Sequence, residues 1–366
     1  YPLVAVGSGG SLSAAHFVCR LHQQFAGKLA KASTPLEILS LLSDGGSQHS
    51  LVNSAALCLS AGGSNSDINR AFRVLIEAEP RHLLALCARR GSPLAKIAGK
   101  YNYVCLVDFE LPSKKDGFLA TNSLLAFIVL LARSYSQLLD DVPALPPTLW
   151  KLLGKYDNLD STLSDLRHKL CPLLKREHLV VLHGAGTKAA AYDIESKFTE
   201  AALGSVQLSD YRNFAHGRHH WLAKRNKVSA VIVLAEDGDI TLAKRTANLL
   251  PSSVPSAVLQ FPGAPISSSI AAVVTGFLIT VVAGEIRGID PGRPSVPQFG
   301  RRLYHLGIGS VGMKGKREKT PIQRKAEACA ISSSEMLKAY TAFTRSLART
   351  SFSGLVLDYD GTLCGT

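Results

Sequence analysis

Short apolar segments alternate with longer amphipathic segments along most of the chain, and this alternation limits the folds that it can adopt. In the first part of the chain, the apolar segments are Leu3–Val6, Ala56–Leu59, Leu83–Cys87 and Tyr103–Val107. Amphipathic stretches such as Leu12–Gln24 and Asp67–Glu77 lie between them. Strands that are apolar throughout need cover on both faces. The alternation therefore predicts an α/β fold in which helices flank a parallel sheet.

The pattern begins again after a proline-rich break at Pro143–Pro147. A helical stretch, Leu149–Leu174, precedes strand-like segments at Leu179–Leu182, Ala230–Leu234 and Ala257–Gln260. The segments Val4–Ser11 and Val180–Thr187 match in kind, because each has an apolar strand, a glycine-rich turn, Ser or Thr, and an Ala-rich helix. This repeat predicts two copies of one α/β unit, residues 1–142 and 143–310.

The composition changes after the second unit. We expect residues 311–350 to form a basic linker followed by a helix over Ser332–Arg349. Residues 351–366 then contain another strand of the buried type, Ser353–Leu357. This last strand predicts the start of a further domain.

Charge and cysteine content narrow the function classes. The net charge of +13 favours a protein that binds anionic small molecules. Nucleic acid is not an expected partner, because the basic residues are spread along the chain and no reader-helix pattern accompanies them. No unbroken apolar run reaches the ~18–20 residues of a membrane span, so we predict no membrane partner. None of the seven cysteines forms a C-x-x-C pair, which favours reduced thiols in the cytoplasm and no zinc site.

Two glycine-rich turns follow strands of the first unit and predict an anion site. The first is Gly7–Ser11 and the second is Ser60–Asn65. Glycines let an anion approach backbone N–H groups, and the start of the next helix adds a partial positive charge. The candidate phosphate-binding residues are Gly9, Ser11, Ser60, Gly62, Gly63, Ser64 and Asn65. A dinucleotide site is the alternative, but the spacing is not G-x-G-x-x-G.

Ionisable residues in the second unit suggest acid–base chemistry. Asp193, Lys197 and Glu200 are spaced to share one face of a helix, and His216 follows in the sequence Phe-Ala-His-Gly. An acid, a base and a lysine beside a phosphate pocket suit proton transfer on a sugar. The alternative is a solvated helix face without a catalytic role.

The order and spacing of these motifs resemble the SIS (sugar isomerase) domain family, typified by the isomerase half of glucosamine-6-phosphate synthase. The resemblance covers roughly Leu3 to Leu306 and implies two α/β sandwiches, each with a five-stranded parallel sheet. The family's first loop, small-x-Gly-x-Ser, maps onto Gly7, Gly9 and Ser11. Its second loop, Ser-x-Ser-Gly-x-Thr, maps onto Ser60–Asn65 and lacks two hydroxyls here, at Gly62 and Asn65.

The resemblance also implies roles for the second-unit residues. Glu200 would move a proton between C1 and C2 of an open-chain sugar phosphate, and Lys197 would orient the substrate. His216 would assist ring opening, from the same chain or from the other subunit of a homodimer. Asp193 replaces a family Glu, and the nearby Glu195 is an alternative for that position. Arg301 stands where the synthase has a lysine, and Arg cannot form a Schiff base at neutral pH. No cofactor is implied.

The end of the chain resembles motif one of the HAD phosphatase superfamily. The strand Ser353–Leu357 leads into Asp358-Tyr359-Asp360-Gly361-Thr362. The resemblance implies that Asp358 is a nucleophile that forms an aspartyl-phosphate, that Asp360 is the general acid/base, and that both lie near Mg²⁺. A chance acidic turn is the alternative. The sequence stops four residues later, so we expect no phosphatase activity from this chain by itself.

Two functions are therefore expected from the sequence. The first is sugar-phosphate binding with isomerase- or deglycase-like activity in a protein that also carries a HAD domain. The second is a non-catalytic sugar-phosphate sensor that regulates the attached hydrolase. The missing loop hydroxyls and Arg301 favour the second.

Overall fold

The structure is a computed structural model that describes residues 1–43, 51–113, 116–137, 145–154, 158–308, 325–326, 328–351 and 354. Its first half contains a parallel five-stranded sheet with strand order β2-β1-β3-β4-β5. The strands are β1 (Leu3–Val6), β2 (Ala30–Ser33), β3 (Ala55–Ser60), β4 (His82–Cys87) and β5 (Val104–Asp108). The helices are α1 (Gly10–Phe25), α2 (Pro35–Ser43), α3 (Ser66–Ala78), α4 (Pro93–Ala98) and α5 (Asn122–Gln137).

Helices cover both faces of this sheet, as the apolar strands predict. Leu57 and Leu59 of β3 belong to one core with Phe17 of α1. The alternate residues of β3, including Cys58, belong to a second core with Phe72 of α3. Because successive side chains of a strand point to opposite faces, α1 and α3 lie on opposite sides of the sheet.

The second half contains a parallel sheet with strand order β7-β6-β8-β9. Two helices precede it, α6 (Leu149–Leu153) and α7 (Leu159–Leu174). The strands are β6 (His178–His183), β7 (Ser205–Asp210), β8 (Ser229–Glu236) and β9 (Ser256–Phe261). The remaining helices are α8 (Lys188–Glu200), α9 (Tyr211–Asn213), a π-helical turn (Phe214–Arg218), α10 (His220–Arg225), α11 (Ile240–Asn248), α12 (Pro265–Arg287) and α13 (Gln298–His305). The architecture is α/β, with two parallel sheets flanked by helices.

The expectation of five strands in each sheet is wrong for the second one, which has four among the described residues. The sequence pattern also missed β2 and β7, the edge strands next to β1 and β6. Their sequences, Ala-Lys-Ala-Ser and Ser-Val-Gln-Leu-Ser-Asp, lack a continuous apolar run. An edge strand has a neighbour on one side only, so it can keep polar residues that a central strand would bury.

Among the described residues, one helix has the length and composition to cross a membrane, although the sequence suggested no such segment. This is α12, which spans 23 residues. In its most apolar window, 78% of the residues are buried inside the protein. The helix packs against α7 and α8. We therefore interpret α12 as the core helix of the second half.

The chain after α13 is described only in part. A further helix, α14 (Ser333–Leu347), confirms the predicted helix over Ser332–Arg349. Ser332 and Glu335 form a reciprocal capping box at its start, with the Ser332 hydroxyl accepting from the Glu335 N–H at 3.2 Å. Residues 311–324 of the predicted linker and the predicted strand Ser353–Leu357 lie outside the described residues, apart from Gly354.

Candidate functional site

The first glycine turn lies at the carboxyl end of β1 and leads into α1. Gly9 has a φ of 53°, which glycine adopts without strain. Gly10 lies so close to the segment before α5 that a Cβ there would be 2.5 Å from the Cβ of Ala120. A Cβ on Gly9, in contrast, would meet only one atom within 4 Å. The turn is therefore packed on one side and open on the other.

The second turn lies at the carboxyl end of β3, beside the first. The Ser60 hydroxyl accepts from the Gly63 N–H at 3.1 Å, and Asn65 Oδ1 accepts from Asp67 N–H at 3.0 Å and Ile68 N–H at 2.9 Å. These two predicted ligands are thus used to shape the turn and to cap α3. Gly62 keeps an open face, since its Cβ would meet only Ser64 Oγ, at 3.6 Å.

The two turns flank the point where the chain changes direction across the sheet. The chain leaves β1 toward β2 on one side and later returns to β3 on the other, with α1 and α3 on opposite faces. Ligands of open α/β sheets bind in the crevice at this switch point. The donors that the two turns offer to an anion are backbone N–H groups and the hydroxyls of Ser11, Ser60 and Ser64, since Ser60 Oγ accepts from Gly63 N–H and keeps its own proton.

Glu200 reaches this crevice from the second half. It is the last residue of α8, and its side chain is exposed. Its Oε1 lies 4.0 Å from the position of a Cβ on Gly9 and accepts a hydrogen bond from the Ser196 hydroxyl. Tertiary packing therefore brings a carboxylate that is 191 positions away in sequence to the first glycine turn.

Asp193 and Lys197 form a buried ion pair with each other, whereas Glu200 on the same helix is exposed. Their side chains are 0% and 3% exposed, and Lys197 Nζ lies 2.5 Å from Asp193 Oδ1. The ammonium also lies 4.8 Å from the centre of the Phe277 ring. Burial raises the pKa of Asp193 to about 6, and the charge of Lys197 opposes that rise. Asp193 Oδ2 has no hydrogen bond of ordinary geometry, although the Ser13 hydroxyl is close enough to lower the pKa of this carboxyl.

His216 and Arg301 are both exposed. His216 lies in the π-helical turn, where it has φ −86° and ψ 52° and precedes Gly217 at φ 96°. Arg301 lies on α13. Among the described residues, no hydrogen bond or ion pair joins either side chain to Glu200 or to the two turns. Glu195, the alternative to Asp193, accepts from Thr199 Oγ1 at 3.3 Å.

Two further segments, the stretch before α5 and the loop after α12, meet beside the first turn and were not singled out as site residues. Asp116 caps the start of α5, where its Oδ1 accepts from the Asn122 N–H at 2.7 Å and the Thr121 N–H at 3.1 Å. The Phe118 N–H donates to the Gly292 carbonyl at 3.4 Å, so the loop after α12 touches this segment. The sequence signal for the first contact was an Asp shortly before a helix, and the second contact had no local signal.

Metal ligands and the HAD motif complete the list of predicted site residues. Across the described ranges, no group of three His, Cys, Asp or Glu side chains could hold a metal ion. Asp358 and Asp360 lie outside those ranges, so their assignment stays a sequence prediction.

Comparison with known proteins adds the fold family. No protein-family model matches the chain, and no curated protein sequence matches it. Several solved structures do. A glucosamine-6-phosphate deaminase from Thermotoga maritima is 18% identical, with a TM-score of 0.57, and the match covers 80% of this chain and 88% of that one. A tagatose-6-phosphate ketose/aldose isomerase from Escherichia coli is 12% identical, with a TM-score of 0.59 and coverage of 81% and 85%.

The C-terminal domain of a glucosamine-fructose-6-phosphate aminotransferase from Francisella tularensis matches to the same degree. It is 13% identical, with a TM-score of 0.58, and the match covers 79% of this chain and 85% of that one. The fold is that of phosphosugar isomerase (SIS) domains. At these identities the likeness establishes the fold, and the activities named are those of the other proteins.

Proposed function

We propose that this protein binds a sugar phosphate in the crevice between its first two glycine turns and transfers a proton on the bound sugar through Glu200. The observation that carries the proposal is the position of Glu200 Oε1 against the open face of Gly9. The two turns supply hydrogen-bond donors for the phosphate group. The Glu200 carboxylate lies beside the first turn, on the side where the carbon chain of the sugar would extend from that phosphate. The fold shared with phosphosugar isomerases supports the same substrate class.

The proposed reaction is an aldose–ketose interconversion. Glu200 accepts the C2 proton, and the C2–H electron pair becomes the double bond of an enediol while the C1 carbonyl oxygen gains a proton. Return of a proton to C1, with loss of the O2 proton, yields the ketose. A general base contributes about 10²–10⁴-fold when it is positioned in this way. We place the protein in the cytoplasm, and we propose a homodimer in which the exposed His216 serves the partner's crevice.

A second candidate is a non-catalytic sugar-phosphate sensor in a longer protein with a HAD hydrolase. One observation favours it. Lys197, which would orient the substrate, is instead buried against Asp193. Binding is common to both candidates, and proton transfer separates them.

Binding is tested by thermal shift and by ³¹P NMR with a panel of hexose and pentose phosphates. We expect sugar phosphates to stabilise the protein, and Ser11→Ala combined with Ser60→Ala to weaken this effect. A hydrogen bond to a charged phosphate contributes about 1.5–3 kcal/mol. Ser66→Ala is the control, because its exposed hydroxyl lies just beyond the second turn and contacts Asp67. Stabilisation that is unchanged in the double variant would place the phosphate elsewhere.

Proton transfer is tested by exchange of the sugar C2 hydrogen in deuterated water, followed by NMR. We expect Glu200→Gln to abolish exchange and to leave sugar-phosphate binding nearly intact, because Gln keeps the shape but cannot accept the proton. Glu195→Gln is the matched control on the same helix, since Glu195 bonds to Thr199 instead. Exchange that survives Glu200→Gln contradicts the assigned base. Absence of exchange in the wild type, with every sugar phosphate that binds, contradicts proton transfer by Glu200 and favours the sensor.

A further inference from the structure

The second half has its own crevice at the equivalent point of its sheet. The chain passes from β6 to β7 on one side and returns to β8 on the other, so the switch point lies between β6 and β8. The glycine turn Gly184–Thr187 follows β6, and the acidic turn Glu236–Asp239 follows β8. Together with Arg20 of α1, these turns line a cavity of about 350 Å³.

The glycines of the two crevices have different surroundings. In the first crevice, a Cβ on Gly9 or Gly62 would meet no atom closer than 3.6 Å. In the second, a Cβ on Gly186 would lie 1.9 Å from Glu236 Oε2, and one on Gly184 would lie 1.6 Å from Asp239 Oδ2. Two carboxylates therefore lie directly against the two glycines of the Gly184–Thr187 turn, whereas Gly9 in the first turn is open.

Several contacts hold these carboxylates in place. Ser269 Oγ lies 3.0 Å from Glu236 Oε1 and 2.8 Å from the Gly186 carbonyl oxygen, so it links the carboxylate to the turn. Asp237 fixes the rest of the acidic turn by accepting from the Gln260 side chain at 2.9 Å and the Gly263 N–H at 3.0 Å. The Glu236 carboxyl is partly buried, and burial raises its pKa.

The charge balance of the crevice also opposes an anionic ligand. Three carboxylates line it, those of Glu236, Asp237 and Asp239, against the single guanidinium of Arg20. Burial raises the pKa of both Glu236 and Asp239, and the charge of Arg20 opposes that rise, so Arg20 already balances part of the acidic set. Like charges that face one another across a few ångströms repel strongly where water is partly excluded.

We infer that Glu236 and Asp239 act as built-in anions that close the Gly184–Thr187 turn, so that each chain binds a sugar phosphate in its first half only. The identity of the ligand rests on the function proposed above, but the closure applies to any phosphate. Glu236 and Asp239 are thus specificity-determining residues for the repeat. Because of them, only one of the two related crevices can bind an anion.

The test is the number of phosphate sites per chain, measured by calorimetric titration with inorganic phosphate and with fructose 6-phosphate. We expect one site in the wild type and two in the double variant Glu236→Ala/Asp239→Ala, which frees the turn and removes both charges. Asp237→Asn is the control, because it removes one charge from the same turn, keeps an amide oxygen that can accept from Gly263 or Gln260, and uncovers no glycine, so it should keep one site. Two sites in the wild type, or one site in a folded double variant, overturn the inference.

A measurement on the wild type covers the case in which the double variant does not fold. In ¹⁵N-resolved NMR spectra titrated with inorganic phosphate, the Gly186 amide should not move. A shift of the Gly186 amide that saturates with phosphate overturns the closure. If neither the Gly9 amide nor the Gly186 amide of the wild type shifts with phosphate, the proposed binding function is contradicted. The inference that the Gly184–Thr187 turn is closed would still stand.

Discussion

At the residue scale, the ion pair between Asp193 and Lys197 is costly in free energy because it is buried. Both side chains are almost fully buried, and taking two charges out of water costs several kcal/mol per ion. Their mutual attraction offsets this cost while both partners are present. Removal of one partner leaves an uncompensated buried charge, which destabilises by about 3–5 kcal/mol.

The pKa of Asp193 sets the direction of the pH dependence. Its folded value, about 6, is above the unfolded value, so the folded state binds more protons between the two. Its contribution to stability therefore declines as pH rises through this window and is lowest above it. Lys197 opposes the rise in the pKa, so loss of the ammonium must raise the pKa of Asp193 further and extend the decline in stability to higher pH.

We therefore predict that Lys197→Met lowers the free energy of unfolding by about 3–5 kcal/mol at pH 8 and by clearly less at pH 5, where Asp193 can take up a proton. Urea unfolding at the two pH values measures the difference. Arg167→Met is the control, because the ion pair between Arg167 and Glu285 is exposed and should contribute only about 0–1 kcal/mol. A loss that is equal at both pH values contradicts the assignment of the proton to Asp193.

At the element scale, the start of α1 is held by a contact with the segment before α5. Gly10 is the first residue of α1, and a methyl group there would overlap the methyl of Ala120 at 2.5 Å. Real Cβ atoms do not approach so closely, so one of the two elements would have to shift. That shift would also move Gly9 and the first glycine turn.

We predict that Gly10→Ala destabilises the protein by about 1–3 kcal/mol through overpacking, despite the higher helix propensity of Ala. The compensating change Ala120→Gly should recover most of this loss in the double variant. Thermal unfolding of the single and double variants gives the coupling energy. Gly307→Ala is the control, because a Cβ there meets no atom within 4 Å. Additive effects of the two changes would show that Gly10 and Ala120 do not share this contact.

At the scale of the whole molecule, the two halves share a core. One cluster of buried residues includes Phe17 and Phe127 of the first half with Ile194, Phe198 and Ile270 of the second. Helices α1 and α8 pack against each other across the boundary, and the rings of His16 and Tyr192 are in contact at a tilt of 41°, with centroids 4.0 Å apart. A core that is continuous across the boundary couples the stability of one half to that of the other.

We therefore predict that the described halves unfold in one cooperative transition. Ile270→Ala in α12 should cost about 2–5 kcal/mol. It should lower the hydrogen-exchange protection of β3 in the first half together with that of β8 in the second. Calorimetry gives the second measure, because the calorimetric and van't Hoff enthalpies should agree. Two separate transitions, or a loss of protection confined to β8, would mean that the halves fold independently.

Local patterns in the sequence were sufficient to predict the central strands, the glycine turns and the helix face that carries Asp193, Lys197 and Glu200. These features depend on the period of apolar residues and on backbone requirements that a short segment expresses by itself. The edge strands β2 and β7 were missed for the same reason. Half-exposed strands have no strong local pattern, and their pairing is decided by the neighbouring strand.

Only the tertiary structure determined which of these residues meet. Spacing placed Asp193 and Glu200 on one face of α8, but the packing of α1 and α12 buries the first and leaves the second against Gly9. The turns Gly7–Ser11 and Gly184–Thr187 look alike as sequence. Gly9 in the first is open, whereas carboxylates that lie about 50 positions later in the chain cover the glycines of the other. Whether a charged side chain is a ligand, a base or a buried partner depends on the groups that surround it in space, and a linear pattern does not contain those distances.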